Sequence, residues 1–238
     1  MNQTEFLKKI KIGLVQINNS FSGASYFPYT VGLLQAYIEE HAKFSECYEF
    51  LPFIYSRIPV EEGVNRLLSA NIVGFSTYVW NFRLSLEIAR RLKKQKPEIL
   101  IVFGGPQVPD EAEVFLSQFP FIDIVCHGEG EQVFCSIVES YPSKDWGDIP
   151  SISYFDDNGA FINHPQAPRI KDLDIIPSPY LTGVLDEFFD LPLVPMIETT
   201  RGCPFSCTFC SDGSFIKSRV FRYTPERTKE ELHYIAKR

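Results

Sequence analysis

Residues 72–105 read Ile72-Val-Gly-Phe-Ser76-Thr77-Tyr78, then Phe82-Arg-Leu-Ser-Leu-Glu-Ile-Ala-Arg-Arg-Leu-Lys-Lys-Gln-Lys96, then Ile99-Leu-Ile-Val-Phe-Gly104-Gly105. The outer runs are apolar on both alternating faces, whereas the middle run repeats its apolar residues at helical spacing, with Leu84, Ile88 and Leu92 on one side. A strand that is apolar on both faces needs helices on both, which is the pattern of a parallel sheet. The rhythm continues in both directions. Strands are predicted at 10–17, 47–52, 72–76, 99–104 and 122–127, with helical segments at 29–42, 60–70, 82–96, 109–119 and 131–141. Five β-α units joined by right-handed crossovers predict a doubly wound α/β domain with a parallel five-stranded sheet over residues 1–145, whose ligands would bind at the carboxyl ends of the strands.

Beyond this domain the pattern stops. Pro150, Pro165, Pro168, Pro177 and Pro179 rule out long helices in residues 146–192, which read as a linker. Inside it, two short apolar runs flank Asp156-Asp157-Asn158-Gly159, the turn of a small hairpin. A strand over 193–200 and a helix opening at Thr224-Pro225-Glu226 then make residues 193–238 the first β-α unit of a second domain.

The chain has 238 residues, 45% apolar and 22% charged, enough to bury a sizeable core. Its formal charge of -7 argues against nucleic acid or anionic lipid as a partner held by bulk attraction. The charge is uneven: residues 1–200 carry 15 basic and 26 acidic side chains, residues 201–238 carry 8 and 4. No apolar run approaches the roughly 20 residues of a membrane span, and the opening MNQTEFLKKIKIGLVQ lacks a signal-peptide core. A cytoplasmic location is expected. Cys47, Cys126 and Cys135 are scattered through apolar segments, as free thiols in a reducing compartment are.

The other three cysteines form Cys203-Pro-Phe-Ser-Cys207-Thr-Phe209-Cys210, a C-x3-C-x2-C run on the loop leaving the predicted strand. Such short spacings let three thiolates converge on one centre, which suits a [4Fe-4S] cluster with one iron left open. A zinc knuckle is the alternative, although structural zinc wants a fourth ligand and paired C-x2-C elements. None is close in sequence, and the nearby His233 falls on a predicted helix. A phosphotransfer reading of the front domain fails on its residues: Asn18 and Asn19, Ser76 and Thr77, and His127 and Gly128 stand where acids, an aspartate and a lysine would be needed. His41, His127 and His164 are expected to be satisfied or surface histidines.

The cysteine run, with aromatic Phe209 before the last cysteine, resembles the radical S-adenosylmethionine superfamily. Together with Ser76-Thr77-Tyr78, Gly104-Gly105 and Gly128-Glu129-Gly130-Glu131 at the ends of strands three, four and five, it resembles the B12-binding (cobalamin-dependent) members, over residues 11–238. The resemblance implies a Rossmann-like or flavodoxin-like cobalamin domain followed by the start of a partial (β/α) barrel. It assigns Ser20, Gly23, Ser76, Thr77, Tyr78, Gly104, Gly105, Gly128 and Glu129 to cobalamin. Cys203, Cys207 and Cys210 go to the cluster, and Phe209 to the adenine of S-adenosylmethionine. A Gly pair without Cβ atoms would let the nucleotide tail of the cofactor approach the backbone. One departure stands out: where cobalamin domains of the methionine synthase type carry Asp-x-His-x-x-Gly, this chain has Asn18-Asn19-Ser20-Phe21-Ser22-Gly23, so no histidine is offered to cobalt there.

By the same resemblance, the activity would be methyl transfer to an unactivated carbon through a 5'-deoxyadenosyl radical, with electrons from a flavodoxin or ferredoxin and a small-molecule or peptide substrate. Cyclases and other ring-rearranging enzymes share both domains. A methylthiotransferase would need three further cluster cysteines, for which Cys47, Cys126 and Cys135 are poorly arranged. A bare cobalamin-binding module would not need the cysteine loop. Only 28 residues follow Cys210, so further barrel strands, and the substrate contacts they carry, are expected from a longer chain.

Overall fold

The computed structural model describes residues 9–205, 207–210 and 219–238. The first eight residues of the expected front domain, Ser206 and the stretch 211–218 after the last cysteine lie outside the described residues. The elements are β1 (Ile10–Val15), β2 (Ser25–Tyr26), α1 (Tyr29–His41), β3 (Tyr48–Phe50), α2 (Val60–Leu67), β4 (Ile72–Ser76), α3 (Phe82–Gln95), β5 (Leu100–Gly104), α4 (Glu113–Gln118), β6 (Ile124–Cys126) and α5 (Gly130–Ser140). Next come β7 (Ile152–Phe155), β8 (Phe161–Asn163), β9 (Leu193–Val194), β10 (Thr200–Arg201), β11 (Phe221–Arg222) and α6 (Pro225–Ala236).

The main sheet runs β3-β1-β4-β5-β6-β7-β8. Its first five strands are parallel, and alternate residues along each face opposite layers of helix. Ile72, Leu100, Val102 and Ile124 pack with α1 and α5 on one face, while Val73, Phe75, Ile101, Phe103 and Val125 pack with α2, α3 and α4 on the other. Ile72, Val73, Ile101 and Phe103 are fully buried, and each such side chain contributes roughly 1.5–3 kcal/mol of transfer free energy. This is the doubly wound α/β fold that the two-faced apolar strands predict.

Two features differ from the sequence reading. The hairpin expected inside a linker is part of the main sheet: β7 pairs antiparallel with β6 through Cys126↔Ile152, and β8 pairs in turn with β7. The edge of β6 would otherwise present unpaired N–H and C=O groups, and the hairpin covers it. The strand expected over 193–200 is broken. Pro195 has no N–H to donate, so Leu193–Val194 pairs with β2, while Thr200–Arg201 pairs with β11. Helix α6 starts as its sequence signals, with Pro225 in its first turn and the Thr224 hydroxyl accepting from the Arg227 N–H at 3.3 Å. None of the described helices is long and apolar enough to cross a membrane.

From β1 the chain crosses to β3 on one side and to β4 on the other. The order reverses between β1 and β4, which leaves a crevice at the carboxyl ends of the strands.

Candidate functional site

A cavity of about 260 Å³ opens at that end of the sheet. Ser76 of β4, Gly104 of β5 and Cys126 of β6 form its floor, Thr30 and Leu34 of α1 one wall, and Phe134 of α5 another. Its volume lies just below the roughly 300–1,000 Å³ typical of ligand sites.

The Ser-Thr-Tyr and Gly-Gly elements form one hydrogen-bonded unit. Both the N–H and the Oγ1 of Thr77 donate to the Gly104 carbonyl, at 2.8 and 2.7 Å. Gly105 sits at φ +94°, and a Cβ on it would stand 2.7 Å from the Thr77 carbonyl oxygen and 2.9 Å from its nitrogen. Only glycine fits between these backbones. At Gly104 the situation is opposite: an added Cβ would meet nothing closer than the Cys126 Cβ at 3.7 Å, so this position borders open cavity. Gly105 thus locks the loop, and Gly104 forms the cradle. Of the pair expected to admit the tail of a large cofactor, Gly104 alone leaves open space, whereas Gly105 is closed by Thr77.

Of the residues assigned to cobalamin, the structure brings Ser76, Tyr78, Gly104, Gly105, Gly128 and Glu129 to the cavity. Thr77 is fully buried behind it and acts by holding Gly104. Ser20 and Gly23 are exposed and do not line it. Their loop closes on itself through paired hydrogen bonds between Phe21 and Ala24, while the Asn18 side chain donates to the Tyr26 carbonyl at 2.7 Å. Thr30 lines the cavity, with its hydroxyl 3.1 Å from the Tyr78 hydroxyl.

Among the described residues no histidine lines the cavity. His127 lies just below the floor, with Nε2 2.8 Å from the Ser153 hydroxyl, which itself donates to Asn163. Burial pulls its pKa below the ordinary imidazole value, against the opposing charge of Asp110. His41 and His164 engage the carbonyls of Ile175 and Ile149. Burial pushes the thiols of Cys126 and Cys135 up to about 12, so both stay protonated at neutral pH.

The Gly128-Glu129-Gly130-Glu131 turn anchors the downstream chain. Glu129 accepts the Ile170 N–H at 2.7 Å and pairs with Arg169 at 3.4 Å. Glu131, buried, holds Arg201 in a two-point contact at 2.6 and 3.2 Å. Arg201 also donates to Glu198 at 2.9–3.1 Å and lines the cavity. Burial works against its charge, and the Glu131 and Glu198 carboxylates more than offset this, so the guanidinium stays protonated. Removing Arg201 would strand the buried Glu131 carboxylate at a cost of about 3–5 kcal/mol.

Sequence reasoning did not assign Thr30, Leu34, Glu131, Phe134 or Arg201. One signal was available for Glu131, which shares a helical stripe with Phe134, Cys135 and Val138: an acid on a buried face needs a cation. Nothing in the sequence says which one.

The cysteine loop leaves β10 two residues after Arg201. Cys203 is half-buried, Cys207 and Cys210 are exposed, and the Cys210 N–H donates to the Cys207 carbonyl at 3.2 Å. Among the described residues, no three metal-ligating side chains are drawn together on one point. Phe209 is 91% exposed.

Residues 31–138 match the family model of the B12 binding domain. The chain is 33% identical over 220 residues to the cobalamin-dependent radical SAM methyltransferase TokK of Streptomyces tokunonensis, covering 89% of this chain and 32% of that protein. It is also 33% identical over 219 residues to the 2-(S-pantetheinyl)-carbapenam-3-carboxylate methyltransferase of Streptantibioticus cattleyicolor, with the same coverage. Its fold superposes on the cobalamin-dependent S-adenosylmethionine radical enzyme OxsB, solved with aqua-cobalamin and S-adenosylmethionine bound, with a TM-score of 0.75 at 20% identity over 98% of this chain and 32% of that one. The chain spans about a third of the length of the curated relatives it matches. Residues 31–138 thus match a B12 binding domain, and over nine-tenths of its length the chain matches the B12-binding portion of cobalamin-dependent radical S-adenosylmethionine enzymes.

Proposed function

We propose that the chain is the cobalamin-holding part of a radical S-adenosylmethionine methyltransferase, with Cys203, Cys207 and Cys210 as ligands of a [4Fe-4S] cluster. The observation that carries this reading is one of position. The cavity cradled by Gly104 is bordered by Arg201, and the cysteine run begins two residues later, so one segment serves both sites. When bound, cobalamin would supply the methyl carrier, and the cluster with S-adenosylmethionine the radical initiator. The protein's own residues hold and orient. Gly104 leaves room for the tail, Thr77 and Gly105 fix the loop that carries it, and Phe134 and Leu34 exclude water. No histidine lines the cavity among the described residues, so this lining would offer a bound cobalamin no imidazole. S-adenosylmethionine would contact Phe209, electrons would come from a flavodoxin- or ferredoxin-type donor, and the substrate would be a small molecule or peptide with an unactivated carbon.

A methylthiotransferase reading is disfavoured by the placement of Cys47 just before β3, Cys126 on β6 and Cys135 on α5, which are not drawn together among the described residues. The test is anaerobic reconstitution of the chain with iron and sulfide, then titration with hydroxocobalamin. About four irons per chain with a broad band near 400 nm are expected, together with a cobalamin spectrum that shows no imidazole nitrogen coupling. Iron uptake that survives the triple Cys203→Ala, Cys207→Ala, Cys210→Ala variant, stoichiometric zinc in place of iron, or histidine-ligated cobalt would each defeat the assignment.

A further inference from the structure

We propose that Arg201 is a positioning residue that couples the two cofactor sites, so that filling the cavity and loading the cysteine loop strengthen each other. The inference rests on the proposed function, because it needs both cofactors. Arg201 lines the cavity and precedes Cys203 by two residues, with Gly202 at φ +104° as the one intervening link. Its guanidinium is held from both sides. Glu131, at the start of the helix that supplies the cavity wall, takes two of its N–H groups, and Glu198, on the segment that becomes the cysteine loop, accepts from it as well.

Cohesion alone does not account for this arrangement, since a buried ion pair often does no better than apolar side chains of the same volume. What a two-point Arg–carboxylate contact adds is orientation: parallel N–H···O bonds fix the angle of β10 against α5. A ligand in the cavity bears on the Arg201 side chain. Metal ligation at Cys203 bears on the backbone two residues away. Both events order the same short stretch, so whichever occurs second has less to order, and linkage makes the effect equal in the two directions. The Glu129–Arg169 pair also reaches the chain beyond the cysteines, since Arg169 donates to the Arg219 carbonyl at 2.7 Å, but Arg219 lies nine residues after Cys210, whereas Arg201 lies two before Cys203 and is the nearer connection.

The test uses the full chain in two forms, reconstituted with iron and sulfide or stripped by a chelator, each titrated with hydroxocobalamin under anaerobic conditions. The loaded form is expected to bind hydroxocobalamin about fivefold or more tightly than the stripped form, within the usual range of coupling between sites. Arg201→Gln and Glu198→Gln should bring this ratio towards one while each variant still binds hydroxocobalamin, and Arg201→Lys should restore part of it. Glu198 is the more exposed partner, so its variant keeps the test open if Arg201→Gln folds poorly. As a spectroscopic check, hydroxocobalamin should shift the resonance signal of the reduced cluster in wild type and not in Glu198→Gln. A ratio of one in wild type with both cofactors bound, or an unchanged ratio in both glutamine variants, overturns the coupling alone. Wild-type chain that binds no hydroxocobalamin or takes up no iron overturns the functional reading and the coupling with it.

Discussion

Gly105→Ala and Gly104→Ala differ by one position and by the same methyl group, and the structure assigns them opposite outcomes. At Gly105 the methyl would enter a backbone at φ +94°, where an L side chain costs roughly 1–2 kcal/mol. It would also stand 2.7 Å from the carbonyl oxygen of Thr77, a residue tied to Gly104 by two hydrogen bonds and so unable to give way cheaply. Overpacking of this kind costs a further 1–3 kcal/mol or so. The sum, about 2–5 kcal/mol, corresponds to a fall in Tm of roughly 4–20 °C for a chain of this size. At Gly104 the methyl meets only Cys126 at ordinary contact distance and projects toward the cavity, so the Tm should stay within about 2 °C of wild type. Hydroxocobalamin affinity should nonetheless drop, more sharply for Gly104→Val. Thermal melts followed by circular dichroism, paired with absorbance titration, distinguish the two. A Gly105→Ala protein that melts with wild type, or a Gly104→Val protein that binds hydroxocobalamin normally, would refute the division into lock and cradle.

Thr77→Val should leave the fold intact at a cost of about 0.5–1.5 kcal/mol, the worth of the lost hydroxyl bond to Gly104, and loosen cobalamin binding because the cradle is no longer held; a denaturant midpoint and a titration measure both. His127 is neutral and buried with its pKa below the unfolded value, so the unfolded chain takes up a proton that the native one refuses. The stability it supports is present above about pH 6.5 and is lost as pH falls through that value. Comparing urea midpoints at pH 7.5 and 5.5, His127→Gln should show a smaller difference than wild type, and an equal difference would show that other groups carry the loss. Iodoacetamide at pH 8 should label Cys207 and Cys210 well before Cys126 and Cys135, whose burial holds their thiols at about 12; labelling of Cys126 as early as Cys207, followed by mass spectrometry, would contradict its burial.

The two-faced apolar runs at 72–76 and 99–104, and the helical period between them, were enough to establish a doubly wound sheet, because side-chain alternation and helical spacing are written in consecutive residues. The glycine pair and the cysteine run were legible for the same reason: their chemistry depends on neighbours in the chain. What the sequence left open were the features made by residues far apart. That β7 and β8 extend the sheet depends on the free edge of β6. That Thr30 and not Ser20 borders the cavity depends on the Phe21–Ala24 turn folding its loop away. That Glu131 is answered by Arg201, 70 positions on, depends on β10 arriving beside the start of α5. Local periodicity carries no information on which distant charge satisfies a buried one. Strand order and chain path supply that choice, because a buried carboxylate can be paired only by a cation that the fold brings within reach.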